Sequence, residues 1–344
     1  MVTGDYGLDR VTLNYDALQG RHGVEWVQGK AVGIDPDSHL VTVKTDGGRT
    51  KFSCDKLVVS PGVDFVAPLG NYNAAKTPHA WKAGSQTTNL QRKLHRMRNG
   101  GTFVMRIPKA PYRCPPGPYE RACVVADFLK RKNPGSKVIV LDENPRIMAE
   151  PVTFGNVFND LYSDILEYHT NVQVAEIDSS AGILSTNLGP IVGDVINFIP
   201  DHKAGKLLHK AGLVDDPSGR WVQVDPITYS SITYPDIHII GDSQATGQPK
   251  SGHMANAQAK VCADAILRYF DGEAPNQQPS TASACFSPVT KDTAGWLTAV
   301  FQYDAGSGQM KVVPESFAEA ERVSKDNYEE MFAWADNLFA DSFG

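Results

Sequence analysis

One strand–loop–helix–strand passage constrains this chain more than any other. "GTFVMRIP" (Gly101–Pro108) reads as a buried strand, "YERACVVADFLKRK" (Tyr119–Lys132) as a helix, and "SKVIVLDENP" (Ser136–Pro145) as a second strand ending on an acidic residue. That order and spacing is a βαβ unit, which demands a parallel sheet with helices on its faces. In a dinucleotide-binding fold the first strand–helix junction carries Gly-x-Gly-x-x-Gly, so that backbone amides can cradle a pyrophosphate. Here the junction reads Tyr112-Arg-Cys-Pro-Pro-Gly-Pro-Tyr-Glu-Arg121. A cysteine and three prolines stand where a phosphate would be held. Proline has no amide hydrogen to offer, so this loop does not suit NAD(P).

The flanking segments extend an α/β pattern. β-Branched runs at Gly23–Asp35, His39–Thr45 and Thr50–Ser60, joined by Asp46-Gly47-Gly48, predict a β-rich first segment. The spacing of Leu90, Leu94 and Met97 predicts a helix over 82–97. Phe154, Phe158, Leu161 and Ile165 predict another over 154–169. "DVINFIP" (Asp194–Pro200) and "DIHIIGDSQ" (Asp236–Gln244) read as strands, the second closing on Gly-Asp before a long helix at Ser251–Phe270. Residues 271–283 read as a Gly/Pro/Gln/Ser linker. Beyond it lies a smaller module with Cys285, ending in an acidic amphipathic helix over 315–339.

Composition narrows the function. A formal net charge of -6, with no basic run, argues against a nucleic-acid surface. No apolar run reaches the length of a membrane span, and "MVTGDYGLDR" has neither the basic start nor the apolar stretch of a signal peptide. The five cysteines, Cys54, Cys114, Cys123, Cys262 and Cys285, make no Cys-x-x-Cys pair and no Cys-x-x-Cys-His haem site. The histidines are scattered, so no metal site is expected.

Taken together, "PHAWKAG", "RCPPGPYERA", "DVINFIP", "IIGDSQ" and "PKSGHMANAQAK" resemble the flavoprotein subunit of flavocytochrome c sulfide dehydrogenase. The resemblance runs from near Val2 to the C-terminal "FADSFG". It implies a glutathione-reductase-like α/β fold with two dinucleotide-binding domains and a small α+β C-terminal module. The implied divisions are 1–80 and 201–272 for the FAD-binding domain, 81–200 for a second Rossmann-like domain, and 280–344 for the flavin-proximal module. The first βαβ unit of the family, with its Gly-rich loop and flavin-tethering cysteine, has no counterpart in this sequence.

The same resemblance implies FAD as cofactor, oxidation of a small sulfur species, a c-type cytochrome subunit as partner, and a periplasmic location. It assigns Cys114 and Cys285 to a redox-active disulfide beside the flavin. Without it, Cys114 is either an activated thiol or a small buried side chain in a rigid loop, and Cys285 reads as an inert core residue. The position before a helix N-terminus predicts a dipole-stabilised thiolate at Cys114, and Pro118 suits the first helical position. Cys123 and Cys262 read as buried spares. Glu120 has two readings, a dipole-stabilised residue of the first helical turn or a general acid/base. Asp242, after Gly241, is expected at the ribityl chain, and Lys250-Ser251-Gly252 at a helix N-terminus aimed at the flavin pyrimidine. Pro61-Gly62 is expected to turn on the flavin side.

Two alternatives remain at this point. A sulfide:quinone oxidoreductase uses the same chemistry but is expected to end in an apolar or basic amphipathic anchor, unlike this acidic C-terminus. A non-catalytic remnant or binding module would hold no flavin.

Overall fold

The computed structural model describes residues 1–344. The first segment holds a short helix α1 (Asp16–His22), an antiparallel sheet of β1 (Lys30–Asp35), β2 (Leu40–Thr45) and β3 (Gly48–Ser53), then β4 (Leu57–Val59), β5 (Val63–Phe65) and β6 (Gly70–Asn71). Helix α2 (Ser85–Arg96) leads to the strand–helix–strand passage of β7 (Thr102–Ile107), α3 (Gly117–Lys132) and β8 (Lys137–Asp142). After it come α4 (Pro151–Asn156), one π-helical turn at Val157–Leu161, β9 (Leu166–His169), β10 (Val174–Asp178), β11 (Ile183–Thr186), β12 (Gly189–Val192) and β13 (Val195–Phe198). The chain then returns through β14 (His202–Ala204), α5 (Lys206–Lys210), β15 (Ile237–Ile239) and α6 (Gly252–Phe270). The C-terminal module comprises β16 (Ser280–Pro288), β17 (Ala294–Asp304), β18 (Gln309–Val312), β19 (Ala318–Glu319) and α7 (Lys325–Phe343).

The βαβ expectation holds. β7, β8, β9 and β13 form one all-parallel sheet in the order β13-β7-β8-β9. α3 covers it, burying Tyr119, Ala122, Cys123, Val125, Ala126, Phe128 and Leu129, an apolar face broad enough to reach both the sheet and the C-terminal module. β7 and β8 are buried nearly throughout, as parallel strands between covered faces must be. A second core, around Val59, Trp221, Tyr229, Ile239 and Cys262, joins the first segment to the return segment. There β4 pairs parallel with β15, and β5 antiparallel with β14.

Four expectations need correction. Residues 154–169 are not one helix. Ile165 and Leu166 both donate their amides to the Tyr162 carbonyl, and the tight turn this makes frees Leu166–His169 to pair parallel with β8. Phe154, Phe158 and Ile165 still point into the same core across the break, while Leu161 is exposed. Of the run Gly23–Asp35 only Lys30–Asp35 is strand, while Val24, Trp26 and Val27 are exposed. At the C-terminus the helix begins at Lys325, capped by the Ser324 hydroxyl accepting from the Asn327 amide; the residues before it supply β19 and its flanking turns. The linker is shorter than expected, because β16 begins at Ser280.

Candidate functional site

The site grows from two helix N-termini whose leading segments run side by side. α6 starts conventionally: Ser251 is its N-cap, and its hydroxyl accepts from the Met254 amide. Of the four amides that no helix can satisfy internally, those of Gly252 and His253 are left facing outward. α3 starts differently. Pro116 occupies the cap with no side-chain bond, Gly117 is the first helical residue and Pro118 the second, one place later than the sequence predicts. Cys114 sits just before this turn in the left-handed region at φ 60, a conformation uncommon for any residue but glycine.

The Cys114 loop is tied down from every side. The Cys114 amide donates to the Lys250 carbonyl at 2.7 Å, joining the two helix starts. The Arg113 amide donates to Nδ1 of the fully buried His202 at 2.8 Å, which fixes that imidazole as the neutral tautomer with its proton on Nε2. The Trp81 indole donates to the Arg113 carbonyl at 3.0 Å, and Arg121 stacks 4.5 Å over the Trp81 ring while donating to the carbonyls of His79 and Ala80. Gly117 is required by close approach: a Cβ there would lie 2.7 Å from the Cys114 sulfur and 3.2 Å from the Trp81 ring.

Cys285 lies on β16. It shares a face with Thr281, Ser283 and Ser287, all three buried, and is itself half-buried. Ser283 meets the Ser251 hydroxyl at 3.2 Å, which brings Cys285 to the α6 start and within electrostatic reach of Cys114. All five cysteines are free thiols. Cys123 and Cys262 are buried in helices, and Cys54 lies apart, its sulfur against the His39 carbonyl.

Burial opposes the dipole-stabilised thiolate expected at Cys114. Burial pushes the Cys114 thiol up to about 12, with the Glu120 carboxyl adding to the shift and Arg113 opposing it. A helix dipole is worth at most about 2 kcal/mol, or about thirtyfold in acidity, and burial outweighs it here. Burial likewise raises Cys285. Glu120 is pushed up to about 7 by burial, against the pull of Arg121 and the N-terminal amine. Its carboxyl does not cap the helix. It lines a cavity of about 610 Å³ together with Trp81, Cys114, Arg121, Tyr328 and Phe332.

On the other side of α6 the remaining expected residues gather. The Ser243 hydroxyl donates to the Gly62 carbonyl at 2.5 Å, joining the Pro61-Gly62 turn to the Gly241-Asp242 turn. A Cβ on Gly241 would lie 3.2 Å from the Ser60 hydroxyl. The Lys250 ammonium is turned inward. It donates to the carbonyls of Asp242 and Gln244 and lies 3.8 Å over the Trp221 ring, and burial lowers it to about 7. The Asp242 carboxyl is raised by burial, with Arg113 and Lys250 as its nearby cations, and has no hydrogen-bonding partner in the chain.

Known proteins bear on this arrangement. Residues 87–200 match a family model described as the central part of the sulfide dehydrogenase [flavocytochrome c] flavoprotein chain. Residues 277–343 match one described as flavocytochrome c sulphide dehydrogenase, flavin-binding. Both matches are to the flavoprotein chain of flavocytochrome c sulfide dehydrogenase, and the cofactor is FAD. It is also 20% identical over 302 residues to the mitochondrial sulfide:quinone oxidoreductase of Dictyostelium discoideum, covering 82% of this chain and 63% of that protein. With the sulfide-quinone reductase of Aquifex aeolicus it shares 25% over 309 residues, covering 82% and 69%. The chain thus spans a little under two thirds of the Dictyostelium relative and of its mouse counterpart, 63% and 64%. The solved Aquifex aeolicus sulfide:quinone oxidoreductase superposes with a TM-score of 0.79 at 19% identity, over 99% of this chain and 81% of that one. The fold is therefore that of the flavin-dependent disulfide oxidoreductases.

The residues present fit a flavin. Asp242 offers a carboxylate with no partner of its own, the start of α6 offers open amides, and a Cβ on Gly62 would meet nothing within 4 Å. Residues that sequence reasoning missed are those that hold the cysteine loop: Trp81, Arg113, Arg121 and His202. Only "PHAWKAG" hinted at them, through an isolated tryptophan.

Proposed function

We propose that the chain oxidises sulfide at a Cys114–Cys285 disulfide beside FAD and passes electrons to a c-type cytochrome subunit. The observation that carries the reading is the junction of the two helix starts. The Cys114 amide is bonded to Lys250, and Cys285 is held against the same α6 start through Ser283 and Ser251. Cys114, unlike Cys285, lines the cavity with Glu120. Hydrosulfide entering there adds to the Cys114 sulfur; the Cys114–Cys285 bond breaks, leaving a persulfide on Cys114 and a thiolate on Cys285. Glu120, near neutrality, takes up the persulfide proton as that group ionises. Bound flavin supplies the two-electron acceptor beside this pair. Asp242 and the α6 start would hold it, the helix dipole there favouring negative charge on a bound group.

Two observations support a donor other than NAD(P). The three prolines strip the α3 start of amides. Asp142, the acid at the end of β8, is fully buried and spends its carboxylate on the hydroxyls of Tyr119 and Tyr168 and on Asn144, so it is not open to a ribose. We also propose the four-part division of residues 1–80, 81–200, 201–272 and 280–344, and a periplasmic location.

The quinone reading is favoured by the curated relatives. Against it stands α7, with Asp326, Glu329, Glu330, Asp336 and Asp341, and no helix is long and apolar enough to cross a membrane. One experiment separates the readings. The chain is reconstituted with FAD, its visible spectrum is followed as sulfide is added, and cytochrome c or a soluble quinone is then supplied. Bleaching reversed by cytochrome c supports the proposal; reversal by the quinone alone transfers it to the quinone enzymes. A chain that takes up no flavin would be a binding module.

A further inference from the structure

Glu150 takes no part in the chemistry above, yet it is built into the same site from the opposite side. It is fully buried and sits in the left-handed region at φ 53, as the cap residue of α4. Its Oε1 accepts the Ser287 hydroxyl at 2.6 Å, while Oε2 has no partner at all. Room for Oε2 comes from Gly295, which faces Ser287 across the β16–β17 register; a Cβ there would stand 3.0 Å from it. Ser287 is two residues along the strand from Cys285, and alternate residues share a face. The inward row of β16 thus runs from Ser251 through Ser283 and Cys285 to Ser287 and Glu150. Cys285 lies between the flavin-side helix start and a buried acid.

From this geometry we infer that Glu150 is a positioning acid for Cys285: the proton it holds from the interior sets how readily the Cys285 sulfur carries negative charge. The charged and titratable groups facing it are Glu120 and Cys123 from α3, Glu319 from β19, and Cys285 itself. None of them is a cation, so an ionised Glu150 adds uncompensated charge beside a sulfur about to receive more. A neutral Glu150 does not oppose the Cys285 thiolate that leaves when hydrosulfide opens the disulfide. Burial and the neighbouring carboxyls hold Glu150 up to about 8, against the Ser287 hydrogen bond, so the neutral form prevails at neutral pH. The role of the proton in turnover rests on the proposed cysteine pair; its effect on Cys285 alone does not.

The test uses the full chain carrying Cys114→Ser, so that Cys285 reacts singly. Its alkylation by iodoacetamide is read by peptide mass spectrometry across a pH series. With Glu150→Gln added, the rate at Cys285 is expected to be unchanged near about pH 6.5 and at least about threefold faster near about pH 9.5. Ser287→Ala removes a bond that favours the carboxylate, so with Glu150 retained the slowing should begin at higher pH. It serves as the independent variant should Glu150→Gln fail to fold. Parallel rate profiles, or a slowing unmoved by Ser287→Ala, overturn the inference. Failure of the pair reading shows separately, as a wild-type chain that never loses two hydrogens between Cys114 and Cys285 on oxidation.

Discussion

The starts of α3 and α6 lie side by side, joined by one hydrogen bond from Cys114 to Lys250, and they are made from opposite materials. α6 has a serine cap, an open glycine and unpaired amides. α3 has prolines at its cap and second position, no side-chain cap, and a sulfur packed against its first glycine. A helix start bristling with amides is a place for an anion. One stripped of amides and buried is a place where charge is expensive, and there the thiol and carboxyl are both held toward neutrality. On the proposed reading, the same element serves cofactor contact in one case and sulfur chemistry in the other.

The largest effects should come from the α3 side. Cys114→Ser is expected to abolish bleaching by sulfide while leaving flavin content unchanged, measured from the visible spectrum; a variant that still bleaches would remove Cys114 from the chemistry. Gly117→Ala should follow closely, since its methyl needs the space of the Cys114 sulfur at 2.7 Å. The sulfur or the helix start must shift, and a misplacement of about 1 Å costs about a hundredfold in rate. Stopped-flow bleaching reads this, and flavin binding should survive because α6 is untouched.

Glu120→Gln tests the cost of charge at the same start. The Glu120 carboxyl is raised from 4.5 to about 7, so its folded form prefers the proton. Its contribution to stability is full below pH 4.5 and is lost as the pH rises through about 7. Glutamine has no such loss. The melting temperature of the variant relative to wild type should therefore rise between pH 5 and pH 8, and a constant difference would mean the carboxyl is solvated.

Much of this was legible in the sequence where local signals agreed. α6 was legible over its full length, and Ser251 caps it as a residue of its type should. The β7–α3–β8 unit was legible because two apolar runs flank an apolar-faced helix. The stretch after Phe154 was not, since apolar spacing describes which side chains face the core and is silent on a turn formed at Tyr162. The burial that opposes charge at Cys114 was hidden for a similar reason. Position before a helix is visible in the sequence, but the depth at which the Cys114 loop is buried depends on Trp81, His202 and Lys250, which come from three distant segments. Glu150 was invisible as well, because only the register of β16 with β17 places Gly295 beside it.

Ser251→Ala should have the smallest effect, and it sharpens the comparison most directly. Removing an N-cap hydroxyl costs about 1 kcal/mol, and here it also removes the contact with Ser283. Thermal unfolding of the flavin-free chain should show this loss. If the α6 start holds the flavin, the holo form should lose more than the apo form, because the freed Met254 amide and a loosened first turn weaken the site that flavin binding stabilises. At α3 there is no cap hydroxyl to remove, so Pro116→Ala should give equal losses with and without flavin. Equal losses at both helices would break the division of labour between them and leave α6 a structural helix only.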